Sequence, residues 1–137
     1  MRTTRKIESI FCLLAVAALL ISVCQGQPAS VQKTGLFGVY NLVSADGKAV
    51  PANVSHEGVN VQVRSGTLTI NADGTCSSKM VFVPPPGTEV TNEVTATYTR
   101  DGSKLTMQWK GAGTTVGTIN GNAFTMENEG MVLVYRK

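Results

Sequence analysis

The stretch DGSKLTMQWKGAGTTVGTINGNAFTMENEGMVLVYRK, residues 101–137, decides the fold. Asp101-Gly102, Gly111-Ala112-Gly113, Asn120-Gly121 and Glu129-Gly130 divide it into four short runs: Lys104–Lys110, Thr114–Asn120, Ala123–Asn128 and Met131–Arg136. In the first run Leu105, Met107 and Trp109 alternate with Lys104, Thr106, Gln108 and Lys110. That period of two is the mark of a half-buried strand. Asp-Gly and Asn-Gly supply the positive φ angles of tight hairpins, and the β-branched and aromatic residues between them suit a pleated surface. The stretch therefore reads as consecutive antiparallel hairpins.

The same grammar continues upstream through Pro84-Pro85-Pro86-Gly87, Asp73-Gly74 and Asp46-Gly47. It predicts strands over Leu36–Ala45, Val59–Asn71, Thr75–Val83 and Glu89–Arg100, with Ala49–Gly58 as a polar loop containing Pro51. Gly66, inside the second of these strands, predicts a bulge or bend that curls the sheet. The whole is an all-β, up-and-down antiparallel meander of about eight strands. A small meander hides its edges by closing, so a single barrel domain is expected over residues 35–137.

Alternation also names the interior. Leu68 and Ile70 share a face, as do Met80 and Phe82, Val94 with Ala96 and Tyr98, Phe124 and Met126, Leu133 and Tyr135, and Tyr40 with Leu42. An eight-stranded barrel is wide enough only for side chains or one small ligand. Asn92, Thr91, Thr95, Thr97 and Thr99 make the fourth strand polar on one face, most simply the solvent face; a register that turned some of them inward would put hydrogen-bonding groups in a cavity. The stiff Pro84–Pro86 turn is expected at a barrel mouth, as a plain connection or as a rim that meets a ligand or protein.

Residues 1–26 read as a signal peptide, and Gln27–Thr34 as a flexible lead-in. Arg2, Arg5 and Lys6 precede the run Ile10–Val23, which is apolar apart from Cys12 and Ser22 and is shorter than the roughly 18 residues of a membrane span. Cys24-Gln25-Gly26 suits cleavage after Gly26. Ile21-Ser22-Val23-Cys24 resembles a bacterial lipobox, which would instead make Cys24 a lipidated first residue. Two acyl chains would then hold the protein on a membrane without a spanning helix. Either route predicts an exported protein, secreted or periplasmic, anchored to a membrane through the lipid if at all; left uncleaved, the segment would instead be a membrane anchor.

After Gly26 the chain has nine Lys/Arg and eight Asp/Glu, with no basic cluster to neutralise a row of phosphates. Nucleic acid is thus not an expected partner. Cys76 is the one cysteine beyond the leader, so the barrel is expected to stand without an internal disulfide. Chemistry is sparse. His56 is the only histidine, beside Glu57 in the polar segment. A Cys76–His56 nucleophile pair has no supporting spacing, and one His with one Cys provides no metal-ligand pattern. No phosphate-cradling loop follows a strand, so no cofactor is expected. Asn53-Val54-Ser55 is a glycosylation sequon of meaning only in a eukaryotic secretory route. The composition points away from an enzyme.

Gly38-Val39-Tyr40-Asn41-Leu42, then Asp46-Gly47 and Pro51, resembles the opening of bacterial lipocalin-like domains. Ser65–Thr75 resembles their strand running into an Asp-Gly-Thr hairpin. Tyr98 before Asp101-Gly102, Gly117–Gly121 and the ending Leu133–Lys137 follow in the same order. The resemblance covers Gly35–Lys137. It implies a Gly-x-Trp-like motif in which Tyr40 stands where the family has Trp, with Arg136 as the basic residue packed across that ring. It also implies binding of a small, largely apolar ligand, with Tyr40, Phe82, Tyr98, Met107, Trp109, Phe124, Met126 and Tyr135 as candidate lining. Methionines and aromatics suit an adaptable apolar pocket, and they suit a filled core equally. The rival reading is a solid barrel that binds a protein or envelope component through the Pro84–Gly87 and Ala49–Gly58 loops.

Overall fold

A computed structural model describes residues 35–137; the leader, Cys24 and the lead-in lie outside the described residues. Ten strands follow in chain order: β1 Gly38–Ala45, β2 Lys48–Ala49, β3 Ala52–His56, β4 Val59–Ile70 and β5 Thr75–Val83. They continue as β6 Val90–Asp101, β7 Lys104–Trp109, β8 Gly113–Asn120, β9 Ala123–Asn128 and β10 Met131–Arg136. Every pairing is antiparallel, and there is no helix among the described residues. Strands β4 to β10 pair in sequence, β10 pairs with β1, and β1 pairs back onto β4. Eight strands thereby close into a barrel. β5, β9 and β10 have the limits that their turn signals predict.

Closure is partial along the β1–β4 seam, and that shapes the site. Gly38 to Asn41 pair with Ile70 to Thr67. Register slips between Leu42 and Ser44 in β1, and between Val63 and Ser65 in β4, mark the point where the two strands part. Bulges of this kind bend a strand and increase its twist. Beyond them β2 pairs with the end of β1, and β3 pairs with the start of β4 from Ala52↔Val63 to His56↔Val59. Gly66 lies next to the slip rather than on it; a Cβ there would stand 3.1 Å from the Cβ of Leu42. Its role is close approach of β1 and β4.

The segment expected as a polar loop, Ala49–Gly58, is therefore mostly strand. Ala52 and Val54 are buried while Asn53 and Ser55 are exposed, a period of two that Pro51 and the polar residues disguise. Glu57 and Gly58, with φ of 49° and 78°, make the hairpin that sends the chain into β4. Two consecutive positive φ angles match the twist of the flanking strands.

One end of the barrel is packed shut. Tyr40, Leu68, Leu105, Met107, Phe124 and Tyr135 have no exposed surface, and Leu36 is buried beside them. The rings of Tyr40 and Tyr135 lie 6.3 and 6.4 Å from that of Phe124, each tilted by 57°. Tilted rings at this spacing suit the quadrupole of each partner. The Phe124 ring occupies the space a Cβ of Gly117 would take, 2.1 Å from its Cζ. Only glycine lets β8 pass that ring.

Arg136 does not cover the Tyr40 ring. It is exposed on the outer face of β10, opposite Asn41, because Tyr135 takes the inward position. The cation over Tyr40 is Lys137, whose Nζ lies 5.2 Å from the ring centre and donates to the Phe37 carbonyl. The Tyr40 hydroxyl in turn donates to the carbonyls of Gly35 and Leu36, the latter at 2.8 Å. Burial pushes the Tyr40 phenol upward, with Arg100 opposing.

Candidate functional site

The other end, where the Pro84–Gly87 and Glu129–Gly130 turns lie, is the mouth. The ladder places its walls by alternation. On β5, Ser78, Met80 and Phe82 point inward, and their partners on β6 are Val94, Asn92 and Val90. On the far wall Met126 faces Leu133 and Asn128 faces Met131 across the β9–β10 pair. Where β1 and β4 part, Val61 and Val63 of β4 and His56 of β3 complete the ring.

Two adjoining lobes open among these side chains. The first, about 160 Å³, is lined by Val61, Val63, Met80, Phe82, Met131 and Leu133, with His56, Asn92, Asn128 and Glu129 as its polar groups. The second, about 130 Å³, shares Met80, Asn92, Asn128, Glu129 and Leu133. It adds Ser78, Val94, Trp109, Ala112 and Met126. An apolar cavity of about 150 Å³ accepts a benzene ring, so each lobe suits one ring or a short branched chain.

Polar groups hold this shape. His56 Nε2 lies 3.2 Å from Glu129 Oε2, joining the β3 and β9–β10 sides across the first lobe. Trp109 Nε1 donates to Thr115 Oγ1 at 2.9 Å, and that hydroxyl donates to Asn128 Oδ1 at 3.3 Å. The chain Trp109–Thr115–Asn128 orients the indole at the wall of the second lobe. Deeper, burial pushes the Tyr135 phenol up to about 12. Among the described residues, no group meets that hydroxyl in good hydrogen-bond geometry. The Ser78 hydroxyl lies near enough to temper that rise, yet outside good hydrogen-bond geometry.

Of the eight side chains expected to line a pocket, Phe82, Trp109 and Met126 do so. Tyr40, Met107, Phe124 and Tyr135 belong to the packed end, without exposed surface. Tyr98 sits toward the closed end, its hydroxyl donating to the Asn71 carbonyl at 2.6 Å. Alternation cannot separate these groups, because it reports which face a side chain takes and not its height along the barrel. Asn92 is the polar β6 residue that turns inward, while Thr91, Thr95, Thr97 and Thr99 share the opposite face. Its parity with Val94, Ala96 and Tyr98 carried that signal. His56, Asn128 and Glu129 reach the mouth through the β3–β4 and β9–β10 turns, which no local pattern brings together.

Cys76 is buried near the start of β5, and desolvation raises its thiol to about 11. His56 stands at the mouth, so the two do not form a nucleophile pair. No cluster of three His, Cys, Asp or Glu residues fit for a metal occurs among the described residues. No helix among them is long and apolar enough to cross a membrane. Asn53, of the sequon, is exposed on β3. A broad third groove, about 720 Å³, runs along the β5–β7 wall past Asn71, Thr75, Thr97 and Lys110. No family model matches the chain, and neither a curated protein nor a solved structure shows significant similarity to it.

Proposed function

We propose that this chain is an exported, non-enzymatic, lipocalin-like barrel that binds a small, largely apolar ligand at its mouth. The observation that carries the reading is the pair of adjoining lobes, walled by Val61, Val63, Met80, Phe82, Trp109, Met126 and Leu133. Apolar walls with a few convergent polar groups are the usual make-up of a small-molecule site. The lobes together approach the lower end of the roughly 300–1,000 Å³ such sites occupy, so the ligand is compact. Met80, Met126 and Met131 give the walls freedom to adapt. The test is native mass spectrometry of protein purified from its own cells, with a denaturing control. A non-covalent mass that vanishes on denaturation supports the carrier reading, and bare protein that also fails to take up added apolar ligands overturns it.

The second reading, a module that binds a protein through its loops, draws on the rim. Val59 and Val90 are exposed there, 46% and 39%, beside the Pro84–Gly87 turn. Pull-down with the intact barrel and with Val59→Ser/Val90→Ser separates the two, since the lobes do not include either valine.

A further inference from the structure

The two lobes share a boundary. Met80 and Asn92 on the β5–β6 wall, with Asn128, Glu129 and Leu133 on the β9–β10 wall, line both of them. The side chains that line one lobe alone are mostly apolar, such as Val63, Phe82 and Met131 in the first and Val94, Trp109 and Met126 in the second. The exceptions are His56, which faces Glu129 at 3.2 Å, and Ser78 in the second lobe. Polar groups therefore gather where the lobes meet.

The hydrogen bonds offered at that boundary follow from the Trp109 chain. An indole N–H can only donate, so Thr115 Oγ1 accepts from it, and the one hydroxyl proton goes to Asn128 Oδ1. That order fixes the Asn128 amide and leaves its Nδ2 donors for the boundary. Asn92, on the other wall, brings both an acceptor and a donor, and no group among the described residues hydrogen-bonds its amide. No Lys or Arg lines either lobe, so nothing there neutralises an anion.

On the reading of the mouth as a ligand site, we infer that the ligand is a neutral N-acylated amine with two compact apolar arms, its amide at the boundary and one arm in each lobe. The ligand carbonyl accepts from Asn128 Nδ2, and the ligand N–H donates to Asn92 Oδ1. Each lobe has the volume that takes one benzene ring, so each arm is a ring or a short branched chain. An ester of the same shape supplies the carbonyl but no donor for Asn92, and a hydrocarbon supplies neither. A carboxylate would lose its hydration beside Glu129 with no cation to receive it.

Trp109 is the only tryptophan of the chain, so its fluorescence reports the second lobe, and calorimetry reads the first as well. The test titrates the full barrel with three two-armed probes of matched length: N-benzylbenzamide, benzyl benzoate and 1,3-diphenylpropane. N-methylbenzamide serves as the one-armed control. It is expected to bind at least about tenfold more weakly than N-benzylbenzamide, since it leaves one lobe unfilled. Asn92→Leu is expected to weaken N-benzylbenzamide about fivefold, the scale of one hydrogen bond, while the ester and the hydrocarbon bind at least as well as before. Asn128→Leu should weaken amide and ester more than the hydrocarbon, because both present the carbonyl. Melting curves accompany both variants, and Asn92→Leu, at an exposed position, carries the test if Asn128→Leu fails to fold. An equal change for all three two-armed probes in Asn92→Leu overturns the amide assignment while leaving the mouth a ligand site. N-methylbenzamide binding as tightly as N-benzylbenzamide overturns the two-armed form in the same way. Absence of any binding among the four probes overturns the ligand site itself and this assignment with it.

Discussion

The ammonium of Lys137 lies 5.2 Å from the centre of the Tyr40 ring, and between them they tie the last described residue to the first strand of the barrel. Lys137 also donates to Phe37, and its backbone N–H donates to the Asn122 carbonyl at 3.0 Å. Lys137, the entry to β1 and the β8–β9 turn thus meet at one point. Lys137→Ala is expected to cost about 0.5–1 kcal/mol, the range for a cation over an aromatic face at a partly exposed site. Arg136→Ala should change stability by less than about 0.5 kcal/mol, as surface substitutions do. Urea denaturation of the two variants checks the assignment; equal losses would return the role to Arg136.

Gly117 and Phe124 are interlocked, so Gly117→Ala is expected to destabilise by about 1–3 kcal/mol, the range for overpacking a core. The ring cannot retreat, because Tyr40 and Tyr135 flank it. Phe124→Leu in the same background should recover part of the loss by freeing the space. A double-mutant cycle in urea measures that coupling.

Thr115→Val removes the acceptor of the Trp109 indole N–H while keeping the side chain's volume. The expected loss is about 1–3 kcal/mol, the penalty of a buried donor left unpaired. A shift of Trp109 emission should accompany it, because the indole loses its tether to Asn128 through Thr115.

Alkaline pH should weaken the fold through Cys76. Its folded value of about 11 stands above the ordinary 9.0, and desolvation is the cause. Well below pH 9, at about pH 8 and lower, both states carry the thiol and stability is nearly unaffected. Between about 9 and 11 the unfolded chain ionises while the folded one does not, so stability falls. By pH 10.5 the loss is on the order of 1–2 kcal/mol. Tyr135 adds a similar fall at higher pH, between its ordinary 10.0 and about 12. Urea midpoints at pH 8 and 10.5 should differ, and Cys76→Ala should shrink the difference. The native thiol should also resist thiol reagents at pH 8, where its thiolate is about 0.1% populated.

Asp73 should titrate below its ordinary 3.8. The Thr75 hydroxyl and then the Thr75 N–H, at 2.6 and 2.9 Å, both hydrogen-bond its carboxylate. The support this gives the β4–β5 turn is present above the unfolded value and is lost as pH falls through the folded one. Carboxyl chemical shifts in Thr75→Ala should move part of the way back toward 3.8, since the backbone donor remains.

The hairpins were legible because each rests on local chemistry. Asp73-Gly74 and Pro84 bound β5, Asn120-Gly121 and Glu129-Gly130 bound β9 and open β10, and Leu105, Met107 and Trp109 mark the inward face of β7. β3 was missed because Pro51 and the polar Asn53, Ser55 and His56 mask the alternation of Ala52 with Val54. The Glu57-Gly58 turn repeats the chemistry of Glu129-Gly130 and was the available signal. The resemblance implies a late basic residue over the Tyr40 ring, and Arg136 is its candidate; parity with the inward Tyr135 places Arg136 outside and leaves the role to Lys137.

By itself, then, the sequence determined the strands, their antiparallel order and the side of the sheet that each residue takes, because turn propensity and pleat are properties of neighbours along the chain. Only the tertiary structure decided height along the barrel. It sank Tyr40, Met107, Phe124 and Tyr135 into the packed end and left Phe82, Trp109 and Met126 at the mouth. It also set His56 against Glu129 and buried the Tyr135 hydroxyl near Ser78. Those outcomes follow from where β1 and β4 part and from the stagger of strands around a closed ring, and ring closure is a relation among residues far apart in the chain.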